Sequence, residues 1–416
     1  MLLIDNVMLL TMAEIQYERG YVWLDPPLIR AVGRGDPPAA ILNEHRGPVL
    51  DAGGGWLLPG FIDAHCHVGL FNDGLALEGE DGNESSDPIT PQLQAIDGLY
   101  QDDRCFAEAL AAGITGVMTG PGSANVLAGQ FAFLNTWGRT ADRMAVQSPA
   151  AMKAAFGENP KKTYGHKDHS PMTRMATAAL LREALAKSSH YRTGRPAAGN
   201  AGTPEPDARW EALLPVLDGR LPLKVHAHRS DDILTAIRIA NEYGLRYTID
   251  HCTEGYKIAD ILADEYHKGQ EPGHGRGESG KGRLEGIIVG PILSDRSKPE
   301  LAGADIRNPA ILAAAGIPLA IMTDHPVVPI QYLPLCAAMT VRAGLPEETA
   351  LAAITRDAAR ICGLADRLGS IEPGKQADLA LFSGHPFDYR SQTRWVFLKG
   401  CPAYRAPSEK MPEAVL

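Results

Sequence analysis

The sequence has no CxxC pair, no excess of basic charge and no long apolar run. Its six cysteines, Cys66, Cys105, Cys252, Cys336, Cys362 and Cys401, lie far apart. That excludes a cysteine-rich zinc module and suggests no disulfide framework. A reducing compartment is the simplest setting for such cysteines. No uncharged apolar stretch reaches the roughly 18 residues that a membrane helix needs. The N-terminal MLLIDNVMLLTMAEI is apolar, but Asp5 and Asn6 interrupt it and no basic flank precedes it. It reads as a poor signal peptide. Lys plus Arg number 40 against 50 Asp plus Glu, a formal net charge of −10. Neither nucleic acid nor an anionic membrane is then expected as the main partner. Together these absences predict a cytoplasmic protein; a homo-oligomer is compatible with them, but no interface stripe is legible.

What is present is a folded chain rich in histidine. At 416 residues it exceeds one ordinary core, because single cores stop growing near roughly 250–300 residues. The 44% apolar and 22% charged shares argue against extensive disorder. Thirteen histidines are left without an explanation from composition. Residues 1–58 read as short strands broken by PP, GRG and DAGGG. From residue 59 to 366, short apolar runs alternate with amphipathic stretches. FIDAHCH, TGVMTG, LKVHAH, YTIDHC, GIIVGP and PLAIMTDH are six of these runs. AGQFAFLNT and AVQSPAAMKAAFG are candidates for two more. DDRCFAEALAAG and SDDILTAIRIANEYG carry helical spacing and a glycine stop, and Ser230 is placed to cap the second.

This alternation predicts an α/β fold, a (β/α)8 TIM barrel with a parallel sheet buried on both faces. Residues 367–416 are strand-like again. With residues 1–58 they are expected to form one small β-sandwich domain beside the barrel. Residues 192–220 and 269–283 are rich in Gly, Pro or polar residues and read as surface loops. The second contains GRGESGKG, a near miss to a phosphate-binding loop. It ends in Gly282 and leads into a strand, so no helix N-terminus is available for phosphate.

The chemistry is concentrated where the apolar runs end. His65 and His67 are two residues apart on a strand, so both rings face one side. His226 and His228 repeat that spacing, His251 ends YTIDHC, and Asp324 ends IMTD. Four runs ending in metal-ligand types point to a metal site at the mouth of a barrel. A buried Asp324 would also be costly without a cation or donors nearby. Cys66 and Cys252 alternate away from these residues and read as core packing.

PGFIDAHCH resembles the first-strand signature of the metal-dependent amidohydrolase superfamily. The later HxH, His and Asp follow that superfamily's order, and GSIEPGKQADLALFSG resembles its C-terminal segment. KVHAHR, DHCTEG and MTDHP look most like the branch that holds imidazolonepropionase and metal-dependent dipeptidases. The resemblance implies that His65, His67 and Asp324 bind one metal, with Asp324 as general base toward the attacking water. It implies that His226 and His251 bind a second metal, with zinc the expected type for both ions, or that His226 joins a single site while His251 faces the substrate. His228 is then a candidate substrate contact, as is Arg229, which could pair with a substrate carboxylate. A bridging anion is expected from a carboxylated Lys153 or from Glu158. Tyr164, His166 and His169 lie in a polar loop that could line the pocket, as could GPGSAN. The implied reaction is hydrolysis of an amide or cyclic amide bond in a small molecule or dipeptide. Removal of ammonia from a heterocycle is the alternative, weakened because Arg229 stands where deaminases often carry Glu. A catalytically silent barrel is the third reading, and the retained ligand types argue against it.

Overall fold

A computed structural model describes residues 1–13, 17–193, 205–278 and 280–412. The strands at the N-terminal end are β1 (Leu2–Leu9), β2 (Tyr17–Asp25), β3 (Leu28–Arg34), β4 (Val49–Asp51) and β5 (Trp56–Pro59). The central strands are β6 (Phe61–Cys66), β7 (Ile114–Thr119), β8 (Leu127–Asn135) and β9 (Ala145–Ala155). They continue with β10 (Leu223–Ala227), β11 (Arg246–His251), β12 (Arg283–Val289) and β13 (Leu319–Ile321). Near the C-terminal end follow β14 (Leu379–Phe382), β15 (Thr393–Leu398) and β16 (Cys401–Arg405).

Strands β6 to β13 form one eight-stranded sheet in sequential order. The sheet is nearly closed. Backbone bonds join its two ends: His67 N–H donates to His325 O at 2.9 Å, and Asp324 N–H to His65 O at 3.3 Å. The buried Asp63 adds to this seam, accepting from Thr323 N–H at 3.1 Å and from its hydroxyl at 2.5 Å. Ile62, Met118, Phe131, Phe133 and Met322 fill the interior of the barrel. These strands are buried on both faces, which explains their continuous apolar runs.

One strand departs from the expected all-parallel barrel. Strand β8 runs antiparallel to both β7 and β9. The reason lies in the connections. Parallel neighbours need a crossover of roughly a dozen residues or more, but only residues 120–126 and 136–144 link these strands. The other connections carry crossover helices, including Arg104–Ala111, Ser230–Tyr243 and Ala259–Gly269. Gly244 ends the second of these in the left-handed region (φ 61°). Ser230 is not its cap, however. Arg229 occupies that position, and Ser230 N–H donates to Glu254 at 3.0 Å.

The stretch expected to be irregular between 192 and 220 also holds a helix, Ala208–Leu217, which Asp207 caps through Arg209 N–H. Pro215 inside it masked the helical pattern. Residues 194–204 of that stretch, and Ser279 of the glycine-rich loop, lie outside the described residues.

Strands from both ends of the chain share a second sheet, in the order β16-β15-β14-β5-β1-β2-β3, with β4 beside β1. Leu57 of β5 faces Leu381 of β14 in the register that joins the two ends. Ile4, Val22, Leu379, Trp395 and Phe397 are buried together in a core formed by the strands of this sheet and the residues beside them. Among the described residues, no helix is long and apolar enough to cross a membrane.

Candidate metal centre

The HxH of β6 and the turn after β13 meet at the strand ends of the barrel. His65 Nε2 and His67 Nε2 approach the same atom, Asp324 Oδ1, at 3.2 and 3.3 Å. Strand alternation places both rings on one face. His67 Nδ1 is tied to Gly120 O at 2.7 Å, which leaves Nε2 as the nitrogen facing Asp324. Phe131 stacks on His65 with ring centroids 5.4 Å apart. Asp324 itself lies in the left-handed region, with φ 54°. A non-glycine residue held there is uncommon and marks a constrained position.

A second cluster adjoins the first. His226, on β10, and His228, just past its end, lie with ring centroids 4.7 Å apart. His251 lies 4.4 Å from His226 and 4.2 Å from His228, centroid to centroid. Alternation alone would send Asp250 and His251 to opposite faces of β11. The chain turns left-handed at His251 (φ 68°), and both side chains reach the interior. His251 Nδ1 is tied to Gly290 O at 3.0 Å, and His228 Nδ1 to Thr253 Oγ1 at 2.7 Å. His226, His228 and His251 form one group able to hold a metal, and His65, His251 and Asp324 form another.

Electrostatics favour neutral imidazoles and an ionised carboxylate. Burial pushes His65 below its usual range and His226 and His251 well below it. Burial, aided by His226, pushes His228 down to about 3. Burial opposes ionisation of Asp324, but His251, then His65 and His67, hold it well below the usual carboxylate range. Neutral imidazole and carboxylate are the forms that bind metals.

Beneath His65 lies a buried ionic group that the sequence did not reveal. Asp250 accepts from Lys224 Nζ at 2.8 Å and from Lys153 Nζ at 3.1 Å. Lys224 Nζ also donates to Ala64 O at 3.0 Å. Burial raises Asp250, but Lys224, His65 and Lys153 together hold it well below the usual range. Burial lowers the Lys153 ammonium, and Asp250 opposes that shift.

Lys153 Nζ pairs with the buried Asp250 carboxylate, 3.1 Å away. Glu158 is outside both clusters. It opens the helix Glu158–Gly165 and pairs with Lys162 in its own second turn. Arg229 is half-exposed, bound through two nitrogens to Asp231, and does not line the cavity. His166 and His169 are exposed, and Tyr164 is buried with its hydroxyl on Asn125. Cys66 and Cys252 pack in the core, as alternation implied; burial pushes Cys66 well above the usual thiol range and Cys252 up to about 12.

The clusters open into a cavity of about 440 Å³. Gly122 and Ser123 of GPGSAN line it, with Asn159 and Lys298. Lys298 Nζ donates to Asn159 Oδ1 at 3.1 Å. Among the described residues no carboxylate lies within ion-pair distance of it. A larger cleft of about 870 Å³, lined by Tyr266, Arg356 and Arg360, has no such donor cluster.

The donor set fits a divalent ion. His65 Nε2 faces Asp324 Oδ1 at 3.2 Å, and the buried His251 Nε2 has no hydrogen-bond partner among the described residues. Carbonyls fix the opposite nitrogens of His67 and His251, which is how metal-binding imidazoles are oriented. Lys224, Asp250, Lys298 and Glu300 escaped the sequence reading. Lys224 had one signal, since it precedes His226 by two residues on the same strand face.

The model of the amidohydrolase family matches residues 223–403. An amidohydrolase from Thermotoga maritima MSB8 is similar in structure, with a TM-score of 0.89 and 37% identity over 98% of this chain and 100% of that one. The imidazolonepropionase of Geobacillus kaustophilus is 25% identical over 88% of this chain and 84% of its own length. The amidohydrolase tasK of Hapsidospora irregularis is 27% identical over 86% of this chain, which spans only 37% of that protein's length.

Proposed function

The chain belongs to the metal-dependent amidohydrolase superfamily and hydrolyses a carbon–nitrogen bond, and from that premise we propose that its substrate is a small amide or cyclic amide, or a dipeptide, bearing a carboxylate. The observation that carries this reading is the shared approach of His65 and His67 to Asp324 Oδ1 at the edge of the cavity. In this reading those three residues hold a zinc-type ion, with His226 and His251 beside them. When bound, such an ion supplies a Lewis acid that lowers the pKa of water to about 7 and polarises a carbonyl.

The chain's own residues do the rest. Asp324 accepts the proton of the attacking water and returns it to the leaving nitrogen. Gly290 O and Gly120 O keep the histidine rings in place. Lys298 replaces Arg229 as the cation for the substrate carboxylate, because it lines the cavity and Arg229 does not. The barrel, residues 59–366, carries every one of these groups. The terminal strands, from residues 1–58 and 367–416, form a small β-sandwich domain beside it.

The test is a screen of N-acyl amino acids, dipeptides and cyclic amides with zinc-loaded protein. Turnover is expected for at least one class, and Asp324→Asn is expected to abolish it while the protein keeps bound ion. Full activity in that variant would remove Asp324 as the proton carrier. No turnover of any amide would overturn the substrate reading.

A further inference from the structure

Asn159 joins three parts of the cavity wall. It follows Glu158 at the start of the helix Glu158–Gly165. Its Oδ1 accepts from Lys298 Nζ at 3.1 Å, and its Nδ2 donates to Ser123 Oγ at 2.7 Å. A lysine ammonium can only donate, so the amide oxygen must be the end that faces it. The amide nitrogen then faces Ser123, and it also lies 3.4 Å from His226 Nε2. One side chain thus connects the loop after β7, the loop after β12 and the histidine cluster.

The backbone holds this contact in place. Glu158 N–H donates to Glu300 Oε2 at 3.0 Å, and Glu300 N–H donates to Glu158 Oε2 at 3.4 Å. These reciprocal bonds clasp the segment that carries Asn159 to the segment that carries Lys298. Gly157 enters the clasp at φ 85°, a conformation that glycine adopts without strain. A Cβ there would stand 2.9 Å from Glu300 Oε2. Lys298 Nζ has three protons and gives one to Asn159; among the described residues it makes no other hydrogen bond. Ser123 Oγ accepts from Asn159, and its own proton has no acceptor among them. Two ammonium protons and one hydroxyl proton are left at the cavity wall.

We propose that Asn159 is a positioning residue that holds Lys298 and, with Ser123, completes a subsite for the substrate's carboxylate. The proposal rests on the reading of the substrate as a carboxylate-bearing amide. A carboxylate accepts only, and its two oxygens match the protons left on Lys298 and Ser123. A lysine head on its four-carbon stem is free to swing. Fixing it to Asn159 before the substrate arrives removes that cost from binding. Asn159 also lies against His226, so the carboxylate is held at a set distance from the reacting bond.

The experiment is calorimetric titration of the zinc-loaded full chain with N-methylsulfonyl-L-leucine and with its carboxamide. The sulfonyl group replaces the scissile carbonyl, and the leucine side chain suits Phe71, Leu301, Pro326 and Val327 in the cavity wall. Wild type is expected to prefer the carboxylate by about tenfold or more, the worth of one hydrogen bond to a charged group. Lys298→Met should abolish that preference. Asn159→Ala should weaken the carboxylate probe about three- to tenfold, in the range of one hydrogen bond, and leave the carboxamide nearly unchanged. Asn159→Asp should weaken it further, because an isosteric carboxylate captures the Lys298 ammonium. A structural role predicts the reverse order, with the isosteric variant the milder. Adding Asn159→Ala to Lys298→Met should change little, within about twofold, since both act on one group. Asn159 variants that bind the carboxylate as wild type does, or that lose both probes equally, overturn the proposal while a preference abolished by Lys298→Met keeps the substrate reading. A wild type with no preference for the carboxylate overturns the substrate reading, and this subsite with it.

Discussion

Asp250 Oδ2 stands 3.2 Å from His65 Nδ1, and both residues are fully buried. The same carboxylate carries two lysine ammonium groups, so one aspartate orients a ligand candidate and neutralises two internal cations. Removing one partner of a buried charge group leaves the others without compensation, which costs about 3–5 kcal/mol. Asp250→Asn is therefore expected to lose stability on that scale in urea denaturation. It should also weaken the metal held by His65 by roughly 10–100-fold, the usual effect of losing a ring-orienting partner. A stable variant with unchanged metal affinity would show that neither role belongs to Asp250.

Metal removal should be visible in stability as well as activity. An ion that binds only the folded chain adds about 2.7 kcal/mol at a hundred times its dissociation constant. Dialysis against a chelator is expected to lower the thermal midpoint and abolish turnover, and added zinc should restore both. A thermal midpoint indifferent to the chelator would mean that the clusters do not hold ions in solution.

Lys298 is the cavity cation without a carboxylate partner among the described residues. A hydrogen bond to a charged group contributes about 1.5–3 kcal/mol. Lys298→Met is expected to raise KM roughly ten- to hundredfold for a carboxylate-bearing amide, with kcat little changed. The corresponding amide-capped substrate should be indifferent to the substitution. Equal effects on both substrates would point to a structural role for Lys298.

The ligand types were legible because metal chemistry needs them at strand ends, and HxH spacing places two rings on one face whatever surrounds them. The barrel was legible for a similar reason: strands buried on both faces must be apolar throughout. Strand β8 was found as a strand, but its direction depends on the length of its connections, which apolar content does not encode. Lys153 shows the limit most clearly. A lysine in an apolar strand announces that it needs an anion, and the carboxylate beside it is Asp250, 97 residues away, which no local pattern reveals. Arg229 fails in the opposite way, because its neighbour Asp231 captures it before it can reach the cavity. Glu300 and Lys298 lie in a loop whose path no periodicity reveals.

Asp378 makes stability depend on pH through a contact between barrel and terminal sheet. It accepts from Asn135 Nδ2 at the end of β8 (3.2 Å), from Gln376 Nε2 (2.7 Å) and from Lys399 N–H (2.7 Å). Burial outweighs these donors and pushes its pKa up to about 6, against an ordinary 3.8. The folded state thus binds this proton more tightly than the unfolded state. The associated stability is fully present below about pH 3.8 and is lost as the pH rises through about 6. At about 1.4 kcal/mol per unit, the contribution is on the order of 3 kcal/mol. Asp378→Asn keeps an acceptor for Lys399 N–H and has no proton to lose. In urea denaturation it is expected to gain on the wild type steadily between pH 4.5 and 7. A stability difference that stays constant across that range would mean that Asp378 does not titrate there.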